Sequence, residues 1–150
     1  MGQKFTFEHS GHTRATAQDA FTALADAPEW AKWGKPIIAT SKFVKPASPD
    51  PHGVGAVRGS GAVEPFLLKE ETTVYEPGSQ FGYKLISPSP MRNYGGLVTF
   101  TTNPNGGTDI LWRVEFEELI PRSGAVLRAG LGKMIGTFLN KLIRYLDAKA

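Results

Sequence analysis

Five glutamates, Glu64, Glu70, Glu71, Glu115 and Glu117, fall on or beside segments that read as β-strands. A carboxyl group held among apolar side chains has a raised pKa and can pass a proton to or from a bound molecule. Neighbouring strand residues point to opposite faces, so one of Glu70 and Glu71 points inward. The pattern leaves open which one; Glu71 serves here as the acid–base candidate, with Arg58 as the cation that would meet it. The simpler reading is a salt bridge or hydrogen bond within a sheet. Arg113 and Arg128 are further cations, and Arg128 sits at the edge of an apolar helical stripe, able to pair with a ligand carboxylate or a sheet glutamate. Tyr83, Tyr94 and Tyr145 are the expected polar handles, because a buried tyrosine hydroxyl finds a partner. Trp30, Trp33, Phe43, Phe100, Trp112, Phe116, Met134 and Phe138 complete the set that could line an apolar pocket, although aromatics at these spacings also build ordinary core.

Other chemistry is excluded or unsupported. The chain has no cysteine, which removes disulfides, thiolate metal sites and cysteine nucleophiles. His9, His12 and His52 form no cluster with metal-ligand spacing, and His9 and His12 should face opposite sides of a strand, so no metal and no cofactor are expected. Gly53-Val-Gly55-Ala-Val-Arg58 lacks the third glycine, the preceding strand and the following helix of a dinucleotide site. Gly130, Gly132 and Gly136 lie inside a helical pattern, where each costs up to ~1 kcal/mol relative to alanine. Close approach of a sheet, or room for a ligand, would explain them.

The elements that must position these groups are legible. Lys4-Phe5-Thr6-Phe7-Glu8 alternates as a first strand. Gly2 and Thr6 match a myristoylation pattern, but the alternation is the plainer account. Thr16 caps a short helix carrying Ala20, Phe21, Leu24 and Ala25, and Pro28–Gly34 reads as a second. Strands follow over Ile38–Val44, Gly55–Val63, Leu67–Tyr75, Gln80–Ile86, Gly96–Thr102 and Asp109–Glu118, punctuated by proline- and glycine-rich turns. A long helix, Ser123–Ala148, places Leu127, Leu131, Met134, Ile135, Phe138, Leu139, Leu142, Tyr145 and Leu146 on one broad side. These predict an α+β fold in a single domain over residues 1–150: a curved antiparallel sheet of about seven strands gripping the terminal helix, with two short helices after the first strand.

The charge has a local origin. The chain carries a net +3, of which residues 122–150 contribute +5 and residues 1–121 contribute −2. Lys133, Lys141 and Arg144 fall opposite the helix's apolar stripe and read as its solvated back. With no strand-borne basic stripe interleaved with stacking aromatics, nucleic acid is not an expected partner. No apolar run reaches the ~18 residues that span a bilayer, and the N-terminus lacks a signal-peptide core. The expectation is a cytoplasmic protein without stable membrane insertion, compatible with transient membrane contact, as a monomer or weak homodimer.

Four segments carry a resemblance. They are Ala20-Phe21 through Leu24-Ala25-Asp26 into Pro28-Glu29-Trp30 and Trp33; Gly53–Arg58; Glu71-Thr-Thr-Val-Tyr75-Glu-Pro77; and Gly107-Thr-Asp-Ile-Leu-Trp112-Arg-Val-Glu-Phe116. Over nearly its whole length the chain resembles the SRPBCC proteins, the polyketide cyclase/dehydrase family, START-like and related to the birch pollen allergen. The resemblance implies a helix-grip fold with an apolar cavity between sheet and terminal helix, binding a lipid-like or polyketide-like small molecule. A cyclase, aromatase or dehydratase using a cavity carboxylate is the alternative, and a protein-interaction module of the same fold is the second.

Overall fold

Local sequence rules account for each element of the computed structural model, which describes residues 2–62 and 67–150. The elements are β1 (Lys4–Thr13), α1 (Ala17–Ala25), α2 (Ala27–Trp33), β2 (Thr40–Lys45), β3 (Val57–Gly61), β4 (Leu68–Glu76), β5 (Gln80–Leu85), β6 (Met91–Thr102), β7 (Thr108–Glu118) and α3 (Gly124–Lys149). Glu64, and the Val63 end of one expected strand, lie outside the described residues. Thr16 caps α1 by accepting a hydrogen bond from the Asp19 amide at 3.1 Å. Proline in the first turn of α2, where an amide hydrogen has no helical partner anyway, lets that helix begin immediately after α1.

The described strands form one antiparallel sheet in the order β1-β7-β6-β5-β4-β3-β2. On β7, Ile110, Trp112, Val114 and Phe116 are buried while Leu111, Arg113 and Glu115 are exposed, as the alternation predicts. Opposite them on β1 stand Phe5, Phe7, His9 and Gly11, sharing the inner face. The sheet curves around α3, whose Ile135, Phe138, Leu139, Leu142 and Leu146 are buried against it. This is the helix-grip arrangement. Burying side chains of this size stabilises by about 1.5–3 kcal/mol each. The C-terminal end of α3 is pinned separately: Asp147 accepts from the Thr13 hydroxyl at 2.6 Å and from the Arg14 amide at 2.9 Å. Among the described residues, no helix is long and apolar enough to cross a membrane.

Most boundaries fall within two residues of the sequence reading, for example β2 beginning at Thr40 rather than Ile38 and β3 at Val57 rather than Gly55. The largest difference is in β6. β6 begins at Met91, five residues before the expected Gly96, because a bulge between Arg92 and Gly95 absorbs an irregular stretch. Asn93 takes a left-handed φ of 54° there, a conformation asparagine tolerates better than most residues. The bulge keeps Tyr94 in the sheet and buried.

The helix leans toward one edge of the sheet. α3 packs mainly on β1, where a Cβ on Gly11 would lie 2.5 Å from the Ile143 side chain. His9 sits against the helix, its Nε2 2.6 Å from the Gly132 carbonyl oxygen. A Cβ on Gly136 would come to 3.1 Å from the same ring. Close approach therefore accounts for Gly136, whereas a Cβ on Gly132 would meet only ordinary contacts at 3.9–4.0 Å. Gly130 faces open space. Leaning toward β1 leaves the opposite side, over β3 to β5, less completely filled.

Two glycine substitutions should behave oppositely. Gly96→Ala would set a Cβ 2.5 Å from the Tyr83 ring and should destabilise by about 1–3 kcal/mol through overpacking. Gly130→Ala meets nothing within 4 Å and should stabilise by up to ~1 kcal/mol. Urea denaturation of the two variants checks both signs.

Candidate functional site

Three neighbouring strands decide which polar groups meet. Arg58 on β3 stands opposite Glu70 on β4, and Glu70 stands opposite Leu85 on β5. The same register sets Glu71 beside Lys84, with a carboxylate oxygen 3.8 Å from the ammonium. Glu70 thus lines the interior and Glu71 is paired across the sheet.

Arg58 is 2% exposed and lies under the aromatic side chains. Its guanidinium sits 4.5 Å over the Phe81 ring and 5.9 Å from that of Trp30. One nitrogen, Nη1, donates to the Leu24 carbonyl at 2.9 Å, and Nη2 finds no partner among the described residues. Burial pulls the Arg58 pKa down, opposed by the charges of Glu70, Tyr83 and Asp26. Arg58 and Glu70 sense each other's charge without closing an ion pair.

Above this layer is a cavity of about 300 Å³. Trp30, Tyr83, Tyr94 and Trp112 form its aromatic wall, and Leu131, Met134, Ile135 and Phe138 of α3 its roof. Ile37, Ile38, Ser60, Gly61, Leu68, Leu85 and Met91 complete the lining, and Glu70 is its one carboxyl among the described residues. Ile37 and Leu68 are also solvent-exposed and mark the opening. Inside, the Trp112 indole donates to the Tyr83 hydroxyl at 3.0 Å, and that hydroxyl interacts with the hydroxyl of Tyr94. Burial pushes both tyrosines up, with the Glu70 charge adding to the effect. Burial likewise raises the Glu70 carboxyl, and Arg58 pulls it only part of the way back.

The comparisons with known proteins agree with this architecture. The family model described as polyketide cyclase/dehydrase and lipid transport matches residues 4–147. The chain belongs to that family. No curated protein matches it significantly. The crystal structure of Ara h 8.0201 superposes with a TM-score of 0.73 at 18% identity, covering 96% of this chain and 98% of the other. A putative uncharacterised protein from Bacillus thuringiensis gives 0.73 at 14% identity, with 95% and 98% covered. At these identities the likeness concerns the fold.

Within this polyketide cyclase/dehydrase and lipid transport fold, six of the expected pocket residues gather at the cavity: Trp30, Tyr83, Tyr94, Trp112, Met134 and Phe138. Others stand elsewhere, each for a physical reason. Trp33 packs behind Trp30 at 4.3 Å between ring centroids and donates to the Ala23 carbonyl. Phe43 stacks on His52 at the far end of the sheet. Phe100 meets Phe21 of α1, and Phe116 stacks on Phe5, both in solid core. Arg128 is exposed and lies over the Phe5 ring at 5.4 Å rather than beside a glutamate. Tyr145 donates to Glu29 at 3.2 Å, outside the cavity. Of the two neighbouring glutamates, Glu70 borders the cavity, opposite the buried Arg58, whereas Glu71 does not and reaches Lys84 instead. Arg58 supports the wall without lining the cavity.

Some lining residues were missed. Leu131 and Ile135 carried a signal, lying on the apolar side of the helix, and Leu85 belongs to the Phe81, Tyr83, Leu85 alternation. Ser60 and Gly61 carried none, since small residues leave no hydrophobic pattern.

The raised Glu70 pKa has a definite sign. The folded protein holds that proton more tightly than the unfolded chain, so the stability contribution is complete below the ordinary carboxylate value. It is lost as pH climbs through the folded-state value. Glu70→Gln escapes this loss and should gain stability relative to wild type as pH rises from about 4 toward neutrality. Urea unfolding across that range reads the difference; a pH-independent offset would show that the carboxyl is not held high.

Proposed function

We propose that the protein binds a hydrophobic small molecule in this cavity, with Glu70 and Tyr94 meeting its one polar end. The observation that carries this reading is the pairing of an apolar, partly open space of about 300 Å³ with one carboxyl that has no hydrogen-bond partner among the described residues. Small-molecule sites are typically apolar clefts of roughly 300–1,000 Å³ with few convergent polar groups. A protein-interaction module of this fold would need no such space, which weighs against that reading.

Native mass spectrometry of freshly purified protein, and titration with the apolar fluorophore N-phenylnaphthylamine, test binding. Energy transfer from the lining indoles of Trp30 and Trp112 should report the probe inside. Met134→Trp fills the roof and should abolish the signal while thermal unfolding stays cooperative. An unchanged titration would place the probe elsewhere and sink the reading.

The polar end should be a hydroxyl or carbonyl rather than a carboxylate. A second negative charge beside Glu70 in apolar surroundings costs energy, whereas a neutral oxygen can share a hydrogen bond with the carboxyl. Decanol should displace the probe better than decanoate at neutral pH, and Glu70→Gln should narrow that preference about tenfold. Equal preference in both proteins would remove Glu70 from recognition.

A catalytic reading is favoured by the same carboxyl. Held near the Tyr94 hydroxyl with its pKa raised, Glu70 could act as a general acid or base in cyclisation or dehydration of a poly-β-keto substrate, with the cavity shaping the chain. Glu70→Gln separates the two: a carrier keeps its affinity for a neutral ligand, while an enzyme also loses turnover.

A further inference from the structure

Trp112, Tyr83 and Tyr94 border the cavity from three neighbouring strands, β7, β5 and β6, and the hydrogen bonds that join them run in one direction. An indole N–H can only donate. Trp112 is 1% exposed, and its N–H goes to the Tyr83 hydroxyl oxygen at 3.0 Å. Tyr83 is buried as well, so its own hydroxyl hydrogen needs an acceptor, and the Tyr94 oxygen is the one it meets. Burial raises both phenols; the bond between them adds to the rise at Tyr83, the donor, and subtracts from it at Tyr94, the acceptor. Tyr94 is left with a hydroxyl hydrogen that no described residue accepts. It is the end of the chain, and it lines the cavity.

The backbone holds each link in place. Tyr83 stands opposite Gly96, where a Cβ would lie 2.5 Å from the Tyr83 hydroxyl oxygen, so the missing side chain leaves room for that oxygen. The bulge between Arg92 and Gly95 keeps Tyr94 buried beside it, with 6.5 Å between the two ring centroids. Trp30 braces Trp112 edge-on at 5.9 Å. Hydrogen bonds linked head to tail polarise one another, so the terminal hydroxyl donates more strongly than a lone tyrosine would.

We propose that Trp112 and Tyr83 are positioning residues that make Tyr94 a hydrogen-bond donor to a carbonyl oxygen of the ligand, an inference that rests on the cavity being the binding site. Of the two neutral polar ends considered above, a ketone or aldehyde suits this arrangement better than an alcohol. A carbonyl oxygen brings lone pairs and no hydrogen, so one lone pair takes the Tyr94 hydrogen and another can take that of a protonated Glu70. An alcohol brings a hydrogen of its own, and Glu70 could accept it only as the carboxylate, the form that its apolar surroundings disfavour.

Methyl naphthyl ketone, isotopically labelled at its carbonyl carbon, and ethylnaphthalene test this, since the two share a shape and only the first has an oxygen. Displacement of N-phenylnaphthylamine reads their affinities, and isotope-edited infrared spectroscopy reads hydrogen bonding at the bound carbonyl. Tyr94→Phe should lower the ketone-to-hydrocarbon affinity ratio about fivefold or more and move the carbonyl stretch to higher frequency. Tyr83→Phe keeps the ring and the Tyr94 hydroxyl, yet should lower the ratio about threefold and move the stretch part of the same way. In that variant the Trp112 indole proton resonance should also move upfield, its acceptor being lost. Tyr145→Phe, outside the cavity, should leave ratio and stretch at their wild-type values. An unchanged ratio or stretch in Tyr83→Phe, or equal losses for both ligands, overturns the proposal. If neither ligand displaces the fluorophore, the cavity reading fails and takes this one with it. If both do, and the wild-type stretch matches that in Tyr94→Phe, only the donor chain fails.

Discussion

The carbonyl oxygen of Leu24 joins the helical clasp to the sheet. In a continuous helix it would accept from the amide four residues on, but that residue is Pro28, which has no amide hydrogen. The Trp30 indole donates to it at 2.6 Å instead, and Arg58 of β3 donates at 2.9 Å. The Trp33 indole fills the same need at the neighbouring Ala23 carbonyl. The break between α1 and α2 thus creates acceptors that orient two tryptophans and hold a buried guanidinium at the negative end of α1. Without those acceptors, a cation as enclosed as Arg58 would carry the cost of an unpaired buried charge.

The cavity follows from that arrangement. Trp30, fixed by Leu24, forms wall and floor together with Trp112 and Tyr83. Its ring meets Trp112 and Phe138 edge-on at 5.9 and 5.6 Å, which ties the clasp to both β7 and α3. Arg58 beneath the wall lowers the cost of leaving Glu70 in apolar surroundings, yet it is engaged by Leu24 and the Phe81 face and does not neutralise the carboxyl in a direct pair. A polar group therefore persists where packing alone would favour a hydrocarbon. Gly96 completes the geometry, since only the absence of a side chain lets the Tyr83 ring lie against β6.

The helix divides its labour in the same way. Its C-terminal half packs through Phe138, Leu139, Leu142 and Leu146 and is anchored by Asp147 to Thr13 and Arg14. Its N-terminal half is less completely buried at Leu127, Leu131 and Met134 because the cavity lies beneath it. The glycines of that half sit where the helix rides on His9 or faces open space. Packing against β1 and hollowness above β4 and β5 are two consequences of one tilt.

Periodicity alone determined the element order, the inward face of β7, the apolar side of α3 and the cap at Thr16, because each depends on residues close in the chain. It also narrowed the inner carboxylate to Glu70 or Glu71. Tertiary structure made the choice, since the facing of β4 is set by its pairing with β3 and by the curvature of the sheet. The same limit explains the aromatics. Phe100, Phe116 and Trp112 all point inward, and alternation treats them alike, yet only Trp112 borders empty space. Whether an inward side chain meets another side chain or a cavity depends on the distance between sheet and helix. That distance arises from contacts more than a hundred residues apart, such as His9 with Gly132, and no local pattern encodes it.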